Sequence, residues 1–132
     1  MELKEIISIT GKPGLYKVIA RSPKNFIVES IEDSKVRFAV NASQQVALLE
    51  EITIYTTGEE NLTLKTVFEN MDAKQAEGNL PSPKDNPVDI RDFFHQIAPG
   101  FDPERVYISD MKKILKWHEI LANVKQAETT EP

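Results

Sequence analysis

The feature that most constrains this chain is a change of hydrophobic spacing near residue 58. From Leu3 to Thr57, short runs rich in Ile, Val, Phe, Tyr and Thr are separated by turn residues at intervals too short for helices. From Asn61 onward, apolar residues recur three and four positions apart instead. Strands in one half and helices in the other define an α+β fold class.

The turns divide the first half. In Gly11-Lys12-Pro13-Gly14-Leu15, the proline presets φ for the second position of a type II turn and Gly14 supplies the positive φ of the third, which predicts a reversal over Lys12 to Leu15. Further reversals are predicted at Arg21 to Asn25 and at Glu32 to Lys35. In the strand that follows, Val36, Phe38 and Val40 alternate with Arg37 and Ala39, so three apolar side chains share one face. Residues 44–49 read as a short helical turn or irregular strand, and Ile52-Thr53-Ile54-Tyr55 as a fifth strand. Five short strands this close together predict a small SH3-like β-barrel over residues 1–58.

In the second half, Leu64, Val67, Phe68 and Met71 form a helical stripe with Thr63 as its cap, predicting a helix over residues 59–76 that packs on the barrel through Leu64, Val67 and Phe68. Residues 77–88 form a Pro-rich linker, since proline can neither continue a helix nor enter a sheet centre. A helical subdomain is expected over residues 89–125. Ile90, Phe93, Phe94 and Ile97 give its first stripe, with Asp89 and Asp92 in capping positions. Asp102-Pro103-Glu104 opens a short turn of helix, and Ser109 caps a last helix from Asp110 to Val124. The apolar set of that helix, from Met111 to Val124, is wider than one stripe and demands more than one neighbour. Residues 126–132 are polar and expected to be a disordered tail.

Composition removes whole classes of chemistry. The chain has no cysteine, which excludes disulfides, a thiol nucleophile and thiolate metal ligands, and fits a cytoplasmic setting. Two acids in Met1-Glu2-Leu3-Lys4-Glu5 oppose a signal peptide, and no apolar stretch approaches the roughly 20 residues of a membrane span. Two histidines, His95 and His118, belong to no paired metal-binding motif and read as surface or boundary residues. Nucleophile elbows, P-loops and dinucleotide fingerprints are absent, so no metal, cofactor or catalytic residue is assigned and the chain is not expected to be an enzyme. The acid pairs Glu50-Glu51 and Glu59-Glu60 read as solvated surface.

Two basic groups remain. Lys12, Lys17, Arg21 and Lys24 lie between Thr10 and Val28 without an intervening acid, in the same strands as Tyr16 and Phe26. Cations beside aromatics can hold single-stranded nucleic acid by phosphate attraction and base stacking, yet both aromatics are equally placed to fill the barrel. Lys112, Lys113 and Lys116 stand beside Trp117 on the last helix and form a secondary basic face, in a segment from Glu77 onward with ten acids against seven bases.

The runs Ile9-Thr10-Gly11-Lys12-Pro13-Gly14-Leu15-Tyr16-Lys17, Phe26-Ile27-Val28-Glu29-Ser30 and Leu49-Glu50-Glu51-Ile52-Thr53-Ile54-Tyr55 resemble those of an uncharacterised family of small proteins from Bacteroidetes. The resemblance extends through Val67-Phe68-Glu69 and from Ile108 to Trp117. It implies a bacterial, cytoplasmic setting and brings no activity or site residues. The expectation is a non-catalytic adaptor that binds other proteins, with RNA or single-stranded DNA binding through Lys12, Lys17, Arg21 and Lys24 as the alternative.

Overall fold

The computed structural model describes residues 3, 5–32, 35–41, 46–78 and 80–130, with side chains as far as Val124 except that of Pro13. The chain forms two compact units, one of Ile52–Glu119 and one of Glu2–Glu51 with Ile120–Pro132.

The N-terminal unit holds an open antiparallel sheet of five strands: β1 (Ile6–Ile9), β2 (Lys12–Arg21), β3 (Asn25–Ser30), β4 (Arg37–Asn41) and β5 (Val46–Leu48). Their order is β4-β3-β2-β1-β5, so the last strand returns beside the first. Strand pleating sets the core: Ile7, Ile9, Val18, Val28 and Val40 are buried, with Tyr16, Phe26, Phe38 and Leu48 packed against them.

One of the three turns differs from the sequence reading. Ile9 pairs with Lys12, so the first reversal is the two-residue loop Thr10-Gly11, three residues before the expected Lys12 to Leu15, and Gly11 takes its positive φ of 86°. Pro13 and Gly14 lie inside β2, where the partners of Ile7 and Ile9 are Tyr16 and Lys12, a bulge in which Gly14 holds φ 90°. The second reversal falls where predicted, with Ser22 N–H donating to the Asn25 carbonyl at 2.8 Å. At the third, Ser30 N–H reaches the Val36 carbonyl at 2.8 Å, while Asp33 and Ser34 lie outside the described residues.

Val36 precedes β4 and is 52% exposed, so only Phe38 and Val40 of its expected face turn inward. The fifth strand of the sheet is Val46–Leu48, not Ile52 to Tyr55; of the preceding stretch, residues 42–45 lie outside the described residues. A 3-10 turn, Leu49–Glu51, follows β5.

In the second unit, β6 (Thr53–Ile54) pairs with β7 (Leu62–Thr63), which leads directly into α1 (Leu64–Glu77). Thr63 caps that helix as expected, its Oγ1 accepting from Thr66 N–H at 3.1 Å. After the proline-rich stretch, α2 (Pro87–Ile97) starts with Pro87 in its first turn, and α3 (Ile108–Thr130) gives this unit its residues up to Glu119. Glu131 and Pro132, the end of the expected tail, lie outside the described residues.

Two caps are not the predicted ones. Asn86 rather than Asp89 or Asp92 caps α2, its Oδ1 accepting from Val88 and Asp89 N–H at 2.9 and 3.2 Å. For α3, Asp110 Oδ2 reaches back to Tyr107 N–H at 3.0 Å, placing Ser109 inside the first turn instead of at the cap.

Leu64, Val67, Phe68 and Met71 of α1 are fully buried, as are Ile90, Phe94 and Ile97 of α2. Asn70 Nδ2 donates to the Ile97 carbonyl at 2.8 Å and fixes α1 against the end of α2. His118 is buried, contrary to a surface or boundary position, with Nε2 2.7 Å from Asp72 Oδ1 and its ring 5.7 Å from that of Phe68. Burial of the imidazole is tolerated because the carboxylate of α1 satisfies its nitrogen.

Candidate functional site

Backbone pairing across a long sequence gap builds a cleft in the Ile52–Glu119 unit. Past β6 the chain pairs with the stretch after α2: Thr56 bridges Phe101, Thr57 N–H donates to the Gly100 carbonyl at 2.9 Å, and Asp102 N–H donates to the Tyr55 carbonyl at 2.8 Å. From that anchor the chain turns at once. Asp102 Oδ1 accepts from Glu104 N–H at 2.9 Å and its carbonyl accepts from Arg105 and Val106 N–H at 3.1 and 2.8 Å. This turn carries Arg105 back over Tyr55, with its guanidinium carbon 4.1 Å from the ring centre.

The cleft so formed has a volume of about 270 Å³. Ile52, Ile54, Val106 and Ile114 supply apolar wall, Tyr55 and Trp117 the aromatic surface, and Arg105, Asp110 and Lys113 the charge. Ile54, Val106 and Ile114 are buried, Trp117 is half-buried, and Arg105 and Lys113 are exposed. Asp110 spends one oxygen on the α3 cap, whereas neither Arg105 nor Lys113 forms an ion pair among the described residues. Chemically, the arrangement is a largely apolar concavity lined also by two aromatic side chains and two exposed cations.

Of the secondary basic face, only Lys113 lines the cleft; Lys112 is half-buried and Lys116 exposed elsewhere on α3. The pairing register scatters the other group. Lys12 stands opposite Ile9 and Arg21 opposite Phe26, on the core-facing side of the sheet, whereas Lys17 stands opposite Glu29 on the other side. Lys24 is exposed in the turn between β2 and β3. Arg21 approaches Glu5 at 3.6 Å, Lys12 Nζ lies 4.7 Å over the Phe38 ring, and Glu29, beside Lys17, binds Arg37 at 2.7 Å. The four cations therefore do not share one face.

Sequence reasoning missed Tyr55, Arg105 and Asp110 as members of one site. Trp117 beside the lysines was its only local sign. Among the described residues no cluster of three or more metal-ligating side chains occurs, and no helix is long and apolar enough to cross a membrane. His95 is exposed and stacks near Phe101, with ring centres 4.8 Å apart.

Comparison with known proteins follows the same division of the chain. Residues 3–49 match the domain of unknown function DUF5606, and residues 52–121 match the domain of unknown function DUF6852. None of the curated proteins compared with the chain matches it. A solution NMR structure of a Bacteroides vulgatus protein, a structural-genomics target, is 33% identical with a TM-score of 0.75, over 95% of this chain and 89% of that one. The chain thus belongs to the family of the domain of unknown function DUF6852, which covers residues 52–121, with the DUF5606 match ahead of it over residues 3–49.

Proposed function

We propose that this chain is a non-catalytic adaptor that binds another protein, and that the cleft beside Trp117 is the surface it uses. The supporting observation is the composition of the cleft, which Trp117, Tyr55 and Arg105 line together with Ile52, Ile54, Val106 and Ile114. Tryptophan, tyrosine and arginine are the side chains that dominate interface energetics when they sit in a concave, partly dry surface. The volume lies just under the roughly 300–1,000 Å³ of small-molecule sites, which suits an anchoring side chain better than a cofactor. The lack of cysteine supports a cytoplasmic setting.

The sheet of the N-terminal unit we read as an SH3-like barrel. In support, β5 lies beside β1 and is followed by a 3-10 turn, and β2 carries two irregularities of register, one against β1 and one against β3, which let a strand bend far enough to curl a sheet.

The test is an affinity capture from native lysate with and without nuclease, using the wild type and an Arg105→Glu/Lys113→Glu variant. A protein retained after nuclease and lost with the variant supports the reading; capture unaffected by the variant opposes it. The nucleic-acid alternative draws support from Lys12 over the Phe38 ring beside Tyr16, which packs edge-on to Phe38 at 5.3 Å. Capture abolished by nuclease, with affinity falling steeply as salt rises, would favour that alternative.

A further inference from the structure

We infer that the occupant of the cleft is an acidic peptide segment of the partner, one that places a large apolar side chain against Tyr55 and Trp117 and a carboxylate on Arg105 and Lys113. This inference rests on the protein-binding reading of the cleft. Charge carries it. The whole chain has a net charge of −5, yet the cleft has two cations against the single carboxylate of Asp110, which already accepts the Tyr107 N–H. Stacking on Tyr55 holds the guanidinium by its face and leaves its edge of N–H donors for a planar acceptor, the geometry a carboxylate matches in bidentate fashion. Lys113 lines the same cleft and adds a second positive charge that a neutral ligand would leave unmatched. Ile54, Val106 and Ile114, which line the same cleft, are buried and offer no polar side chain, so the group packed against them is hydrocarbon.

Trp117 is the single tryptophan of the chain, so its emission reports directly on occupancy of the cleft. The probes are three blocked pentapeptides, Glu-Leu-Glu-Phe-Glu, Gln-Leu-Gln-Phe-Gln and Glu-Ala-Glu-Ala-Glu, together with a deoxythymidine decamer, each titrated into the full chain. The acidic apolar peptide should shift Trp117 emission saturably, and bind about tenfold or more tighter than either of the other two peptides, because each lacks one half of the recognition. An Arg105→Gln/Lys113→Gln variant with an unchanged melting profile should lose that preference for acid over amide. Equal binding of the acidic and amide peptides overturns the inference while leaving a protein-binding cleft in place. Preference for the decamer, or no response to any peptide although a protein is captured through the cleft, also overturns it. Failure of the capture experiment as well removes the protein-binding reading itself.

Discussion

His118 Nε2 lies 2.7 Å from Asp72 Oδ1, joining α3 to α1 inside the Ile52–Glu119 unit, with the imidazole side chain 2% exposed and the carboxylate 42%. The exposed partner can be solvated alone, but the buried one cannot. Removing the carboxylate leaves a ring nitrogen without its acceptor, at a cost of about 1–3 kcal/mol. Asp72→Ala should lower the urea midpoint accordingly, and Asp72→Asn, whose amide oxygen still accepts, should lower it less. Equal midpoints for wild type and Asp72→Ala would show that the pair contributes nothing to stability.

Gly14 holds φ 90° within β2, and a Cβ there would stand 2.7 Å from Glu32 Oε2. Gly11 holds φ 86° with nothing within 4 Å. Both substitutions to alanine force an L-residue into a left-handed backbone, costing about 1–2 kcal/mol. Gly14→Ala should cost more than Gly11→Ala in thermal unfolding, because Glu32 must also move. Combining Gly14→Ala with Glu32→Ala should narrow the gap between them.

At the start of α3, Asp110 rather than Ser109 supplies the capping side chain. Asp110→Ala should therefore destabilise by about 1 kcal/mol, while Ser109→Ala stays near neutral, as read from denaturant midpoints. The reverse ranking would restore Ser109 as the cap. Asn86→Ala should resemble Asp110→Ala, since its Oδ1 accepts two N–H groups at the start of α2.

Features set by neighbours in sequence were legible, and those set by distant pairing were not. Thr63 announced a helix start because a cap reads only the next three residues. Two glycines three residues apart, Gly11 and Gly14, both suit a positive φ, and only the pairing of Ile9 with Lys12 decides which closes the hairpin. Ile52 to Tyr55 carries an alternating pattern that fits any half-buried strand; the pattern does not reveal that β6 pairs with β7 rather than with the five-stranded sheet. The cleft was hidden for the same reason, because Tyr55 and Arg105 come together only through the pairing of residues 55–57 with residues 100–102 and the turn at Asp102. His118 reads as a surface or boundary residue because a lone histidine in sequence does not show that Asp72 waits for it on another helix.

The basic cluster of the N-terminal unit yields a contrasting prediction. With Arg21 near Glu5 and Lys17 opposite Glu29, substituting either cation by glutamine should change binding of the captured protein less than twofold. Isothermal titration with that protein checks this, and a large loss would transfer the interaction to the sheet.

The most direct test of the account is hydrogen–deuterium exchange of the full chain with and without its nuclease-resistant partner. Protection should appear on Ile52 to Tyr55 and on Arg105 to Trp117, the segments that line the cleft. Protection confined to Lys12 through Lys24, with the cleft unchanged, would contradict it.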